Sequence, residues 1–208
     1  MTVCIVGHKG NMGRRYASIL NFLGEDWFGL DIEEGISQFC DTYIITTPTD
    51  THVDIICDIL EEMNPHATIL CEKPIATDLV ALNRIPKENW DDIFMVNQYA
   101  YTSDFVSTTW PPGITSYNFY HSGKDGIAWD CIQLIYLAKE KHKIILNNTS
   151  PVWKAVINGW PLGKEEIDHS YIDMIKDFLG SKEKSWNLHK AYEAHKDVLE
   201  YLETQKND

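Results

Sequence analysis

No stretch of the 208 residues approaches the roughly 20 consecutive apolar residues that a membrane-spanning helix requires. Positive charge is scarce as well: 18 Lys and Arg stand against 31 Asp and Glu, a formal net charge of −13. Duplex nucleic acid and anionic membrane surfaces both demand clustered positive charge, so neither is an expected partner. The five cysteines (Cys4, Cys40, Cys57, Cys71 and Cys131) are odd in number, widely spaced and lack a C-x-x-C pair. Most lie in apolar stretches, where cysteine behaves as a small hydrophobe. Reduced, buried thiols in a cytoplasmic protein are therefore expected, ahead of a metal site or a catalytic thiol. The amino end also lacks the basic and then apolar pattern of a signal peptide, since Val3-Cys4-Ile5-Val6 runs directly into a glycine loop.

What is present supports a folded protein, because 44% of residues are hydrophobic and 24% charged. Charge is unevenly spread. Residues 1–95 hold 6 basic against 16 acidic residues, residues 96–160 hold 5 against 4, and residues 161–208 hold 7 against 11. The nearly neutral middle third is also rich in aromatics, among them Tyr99, Tyr101, Trp110, Tyr117, Phe119, Trp129 and Trp153. Two readings stay open for it: a sheet face that meets a substrate or subunit, or an ordinary sheet core enriched by β propensity.

The first ninety residues alternate between strand and helix patterns. Thr2–Val6 is a short apolar run of the kind a buried parallel strand shows. A helix follows with Tyr16, Ile19, Leu20 and Leu23 on one face, and Gly24 is placed to cap it. Further strands are expected at Trp27–Leu30, Tyr43–Thr47, Ala67–Cys71 and Ile93–Val96. Between the third and fourth, a helix starting at Asp50 or Thr51 carries Val53, Ile56, Leu60 and Met63 at helical spacing. Short strands separated by helices imply βαβ units and a parallel sheet.

The loop after the first strand is Gly7-His8-Lys9-Gly10-Asn11-Met12-Gly13. Its G-x-x-G-x-x-G spacing is one residue longer than the usual dinucleotide fingerprint, yet each physical demand can still be met. Gly7 allows the tight turn, Gly10 lets backbone approach a pyrophosphate, and Gly13 lets the helix pack close to the strand. The amides at the helix start, from Asn11 and Met12 onward, then face the anion. Asp31 lies 18 residues after Gly13, at the end of the second strand, where a carboxylate accepts ribose hydroxyls and repels a 2′-phosphate. NAD(H) is therefore favoured, while His8 and Lys9 keep NADP(H) open.

Two further segments carry a family resemblance. Ile44-Ile45-Thr46-Thr47-Pro48-Thr49-Asp50-Thr51-His52 and, twenty residues on, Glu72-Lys73-Pro74 resemble the third-strand loop and the E-K-P motif of the glucose-fructose oxidoreductase/inositol dehydrogenase (Gfo/Idh/MocA-type) family. The likeness covers residues 1–98 well and the remainder in outline. It implies a Rossmann-type dinucleotide-binding domain over residues 1–97, followed by a shortened α+β open-sheet domain over 98–208. It also implies that Thr47, Pro48, Thr49 and Gln98 approach the cofactor, and that Lys73 sits near the nicotinamide with Glu72 orienting it. A partly desolvated lysine there can exchange a proton with a substrate hydroxyl. His52 is either a cofactor contact or a helix-start residue that never meets the ligands.

In the second half, strands are expected near 113–120, 143–148 and 151–158, with helices at 127–140, 164–179 and 187–204. The family's second catalytic motif commonly reads D-x-G-x-H-x-x-D. Here the best alignment places Asp130 where the histidine should stand and Gln133 where the second Asp should stand. Asp130 beside Lys73, or His121 at the end of the preceding strand, is the candidate replacement for the lost imidazole. The resemblance thus implies an NAD(P)-dependent oxidoreductase acting on a sugar-like or cyclic polyol substrate, likened to family members that pair as homodimers through the sheet of the second domain. A dinucleotide-binding module without turnover, and an interaction subunit, are the alternatives.

Overall fold

A computed structural model describes residues 2–31, 40–101, 113–118, 128–129, 131–138, 142–147, 156–157, 160–161 and 164–206. Asp130 and His121 lie outside the described residues. The chain divides into two compact units: Met1–Val96 with Ile175–Tyr192, and Asn97–Met174 with Glu193–Asp208.

The first unit is built on five parallel strands: β1 (Val3–Val6), β2 (Trp27–Leu30), β3 (Thr42–Ile45), β4 (Thr68–Cys71) and β5 (Ile93–Met95). All residues of β1, β3 and β5 are buried, as strands covered on both faces must be. The order across the sheet is β5-β4-β3-β1-β2, so the winding direction reverses between β1 and β3. Helix α1 (Asn11–Leu23) joins β1 to β2 and buries Gly13, Tyr16, Ile19 and Leu20, the apolar face expected from its spacing. It stops at Gly24, whose φ of 75° is left-handed, and whose N–H returns to Asn21 and Leu20. Helix α2 (His52–Asp58) opens from a 3-10 turn at Thr49–Thr51 and runs on through a π turn at Ile59–Met63. A short α3 (Leu79–Leu82) follows β4, with the Asp78 side chain capping it through the Ala81 amide.

In the second unit, β6 (Gly113–Asn118) pairs in parallel with β7 (His142–Asn147), with helix α4 (Ile132–Ala138) between them in the chain. Two short antiparallel strands, β8 (Val156–Ile157) and β9 (Trp160–Pro161), extend the sheet on the β6 side. Helix α5 (Lys164–Leu179) follows, and α6 (Leu188–Lys206) closes the chain.

Residues 175–192 pack with the first unit. The reason is a two-residue strand, β10 (Trp186–Asn187), that pairs antiparallel with β5 and completes a six-stranded sheet. Phe178 stacks edge-on against Phe94 at 5.7 Å, and the Leu188 amide donates to Trp90 O at 3.1 Å. Asp177 shapes the intervening turn: its carboxylate accepts from the amides of Glu183 and Lys184 and the hydroxyls of Ser181 and Ser185.

Candidate active site

Three loops leave the carboxyl ends of β1, β3 and β4, beside the point where the strand order reverses, which is where open α/β sheets bind ligands. The first is the glycine loop. Gly7 adopts φ 85°, which L side chains rarely tolerate, and its amide donates to Leu30 O at 2.8 Å. A Cβ at Gly13 would run into Gly7 O and the His8 backbone, so close packing of helix on loop demands glycine there. Gly10 precedes α1 with no side-chain cap, and the first turn carries no acidic residue. Arg14 ties the loop together, donating to Lys9 O at 2.5 Å and to Asn11 Oδ1 at 2.7 Å. The His8 ring lies over Gly29, and its buried Nδ1 has no hydrogen-bond partner among the described residues. Asp31 ends β2 and pairs with Lys9, Nζ to Oδ2 at 3.2 Å.

The second loop follows β3. Thr46 binds the glycine loop through its hydroxyl, which donates to Val6 O at 2.9 Å and Gly7 O at 3.1 Å. Thr47 is buried, Thr49 half-buried and Pro48 exposed, and Thr51 donates to Thr47 Oγ1 and Pro48 O, both at 2.8 Å. His52 is only 1% exposed, with Nε2 2.8 Å from Thr47 O and Nδ1 3.0 Å from Pro74 O. Both ring nitrogens are thus within hydrogen-bonding distance of carbonyl oxygens. It clasps the loops from beneath. Burial lowers its pKa below the ordinary value, against the opposing pull of those carbonyls and of Glu72.

The third loop is Glu72-Lys73-Pro74, with a cis Lys73–Pro74 bond. Glu72 is 8% exposed; its amide donates to Ile45 O at 2.9 Å, its Oε1 accepts from Tyr16 at 2.7 Å, and its Oε2 accepts from the Lys73 amide at 3.1 Å. Lys73 is half-buried between these fixed neighbours. The cysteines near the sheet are inert by comparison: burial pushes Cys4 up to about 12 and Cys71 well above its usual value.

In the second unit, Gln98 is buried and accepts from Gln133 Nε2 at 2.7 Å, while Gln133 Oε1 accepts from the Tyr99 amide at 3.1 Å. Gln133 therefore ties the Gln98 side chain to the Tyr99 backbone. Tyr16 and Arg14 were not singled out from the sequence as site residues. A basic residue just past the third glycine was a readable signal for Arg14; Tyr16 looked like an ordinary core residue.

The glycine loop fits a dinucleotide: an uncapped helix start, glycine at the closest approach, an unpartnered imidazole nitrogen and a carboxylate ending β2. Residues 30–88 match the family model of Gfo/Idh/MocA, an oxidoreductase family with an NAD-binding Rossmann fold. No curated protein matches the chain in sequence. Among solved structures, a myo-inositol dehydrogenase from Corynebacterium glutamicum aligns over 98% of this chain and 96% of its own at TM-score 0.74, with 12% identity. A Gfo/Idh/MocA family oxidoreductase from Vibrio cholerae aligns over 100% of both chains at 0.70 and 9% identity. The WlbA (WbpB) dehydrogenase from Thermus thermophilus, solved with NAD and UDP-GlcNAcA, aligns over 95% of this chain and 93% of its own at 0.67 and 12% identity. Residues 30–88 are thus similar to the NAD-binding Rossmann fold of the Gfo/Idh/MocA oxidoreductases, and the chain shares the fold of these solved structures.

Proposed function

We propose that this chain moves a hydride between a nicotinamide cofactor and a carbinol or carbonyl carbon of a sugar-like or cyclic polyol substrate. Bound NAD supplies the hydride acceptor, and NADH the donor. The observation that carries this reading is the Lys73 turn. It is held at the carboxyl end of β4, on the same sheet edge as the glycine loop and the Thr46–His52 loop. Lys73 then takes the proton from the substrate hydroxyl, or returns it, while Glu72 fixes the lysine backbone. Asp130 or His121 is the proposed second proton-handling group, read from the sequence alone. Sugar nucleotides belong in the substrate class because one relative was solved with UDP-GlcNAcA. Pairing of two copies through the β6–β9 sheet and a cytoplasmic location are part of the same proposal.

The alternative, a dinucleotide-binding module without turnover, is favoured by one observation. Gln133, at the position of a family acid, is fully buried and occupied with Gln98 and Tyr99. A screen of polyols, sugars and sugar nucleotides for NAD reduction separates the two. Turnover that disappears in Lys73→Ala, with NADH binding retained, supports the dehydrogenase. NADH binding with no turnover on any substrate class moves the binding module ahead.

A further inference from the structure

Tyr16 is completely buried on α1, three residues after Gly13. For packing alone, phenylalanine would serve. A buried phenol hydroxyl needs a hydrogen-bond partner, and here that partner comes from 56 residues away, Glu72 Oε1 at 2.7 Å. The second oxygen of the same carboxylate accepts the backbone N–H of Lys73. A continuous hydrogen-bonded path therefore runs from the glycine-loop helix, through one side chain, to the lysine's backbone. The far side of the same turn is held by His52 on Pro74 O.

We propose that Tyr16 is a positioning residue for Lys73, holding the Glu72 carboxylate so that it binds the lysine's amide rather than turning toward the lysine's ammonium. The proposal rests on the reading of Lys73 as the proton-transfer group. When the hydroxyl is removed, Glu72 Oε1 loses its bond in a buried position, and a buried carboxylate left short of donors is costly. The carboxylate then rotates toward water and the Lys73 side chain, where pairing with the ammonium slows its reaction with electrophiles.

The test uses the full chain without cofactor, labelled competitively with acetic anhydride, and compares the acylation rate of Lys73 with that of exposed Lys87. Tyr16→Phe slows Lys73 by about threefold or more, the scale of one misplaced charge-assisted hydrogen bond. Tyr43→Phe, which removes another buried hydroxyl, one that accepts from the Cys40 amide, leaves the ratio unchanged. In a Glu72→Gln background the Tyr16→Phe effect disappears, because the coupling runs through the carboxylate. An unchanged Lys73 rate in Tyr16→Phe, or an undiminished effect in the Glu72→Gln background, overturns the proposal. Where Tyr16→Phe folds poorly by circular dichroism, hydrogen exchange of the Lys73 amide in Glu72→Gln decides instead. A loss of protection of about tenfold supports the clamp, and unchanged protection overturns it. NADH titration of the wild type is run in parallel: absence of binding there sinks the dehydrogenase reading without touching the labelling result.

Discussion

His52 Nδ1 lies 3.0 Å from the carbonyl oxygen of Pro74, joining the loop after β3 to the turn after β4 across 22 residues. With Nε2 on Thr47 O, one imidazole satisfies backbone on both loops. Neutral imidazole has only one N–H, so one carbonyl receives a proton and the other faces a lone pair unless the ring is protonated. Burial outweighs the carbonyls and depresses the pKa.

The sign of the resulting pH dependence follows. A histidine with a depressed folded-state pKa binds fewer protons folded than unfolded below about pH 6.5. Its contribution to stability is complete above that value and is lost as pH falls through the folded pKa. Unfolding by urea should therefore show stability declining as pH drops below 6.5, with this residue adding at most about 1.4 kcal/mol per pH unit. His52→Gln should flatten that slope. It should also cost about 1–3 kcal/mol at pH 7.5, because an amide cannot replace both contacts. An unaltered slope in the variant removes His52 from the explanation.

Asp31→Ala tests the ribose position. NADH affinity, followed by tryptophan fluorescence, should fall about tenfold, as expected for loss of hydrogen bonds to a charged acceptor. NADPH should weaken less, because the removed carboxylate also repelled the 2′-phosphate and Lys9 is released from its 3.2 Å pair. Equal losses for both cofactors would take Asp31 out of the ribose role.

Gly13→Ala places a methyl group against Gly7 O and the His8 backbone, neither of which is a flexible side-chain end. The loop must shift, at a cost of about 1–3 kcal/mol in stability. NADH binding should weaken by at least about tenfold, since diphosphate recognition depends on backbone placement. Wild-type affinity in this variant would show that the loop does not hold the diphosphate.

Gln133→Leu keeps volume but strips the partners from Gln98 and the Tyr99 amide in a buried place. A loss of about 1–3 kcal/mol is expected in denaturant unfolding. If the variant is as stable as wild type, the buried tie is not structural, and Gln133 returns as a candidate for the site.

The charge distribution bears on all of the cofactor predictions. Residues 1–95 carry ten more acidic than basic residues, so the overall field of the nucleotide domain repels an anionic ligand. Attraction has to come from the uncapped start of α1 and from the cations Lys9 and Arg14 close by. Binding should consequently tighten, or hold steady, as salt rises over a moderate range, because screening weakens the distant repulsion first.

Much of the first unit was legible because its signals are local. Val3–Val6 is continuous apolar chain bounded by glycine, Gly24 sits one residue past the last helical turn, and β-branched runs mark β3 and β4. The glycine loop was readable for the same reason: backbone geometry dictates glycine at Gly7 and Gly13. Helix α5 was read over its observed span, Lys164–Leu179, from spacing and a terminal glycine. The short strand at Trp186–Asn187 was not legible, since two residues carry no periodicity and only the exposed edge of β5 gives them a partner. The same holds for the site. Sequence alone determined which residues form the loops at the sheet's edge. Tertiary packing alone decided that His52 lies beneath them and that Tyr16 reaches Glu72. A buried polar side chain must find a partner, and that partner is set by which elements the fold brings together rather than by neighbours in the chain.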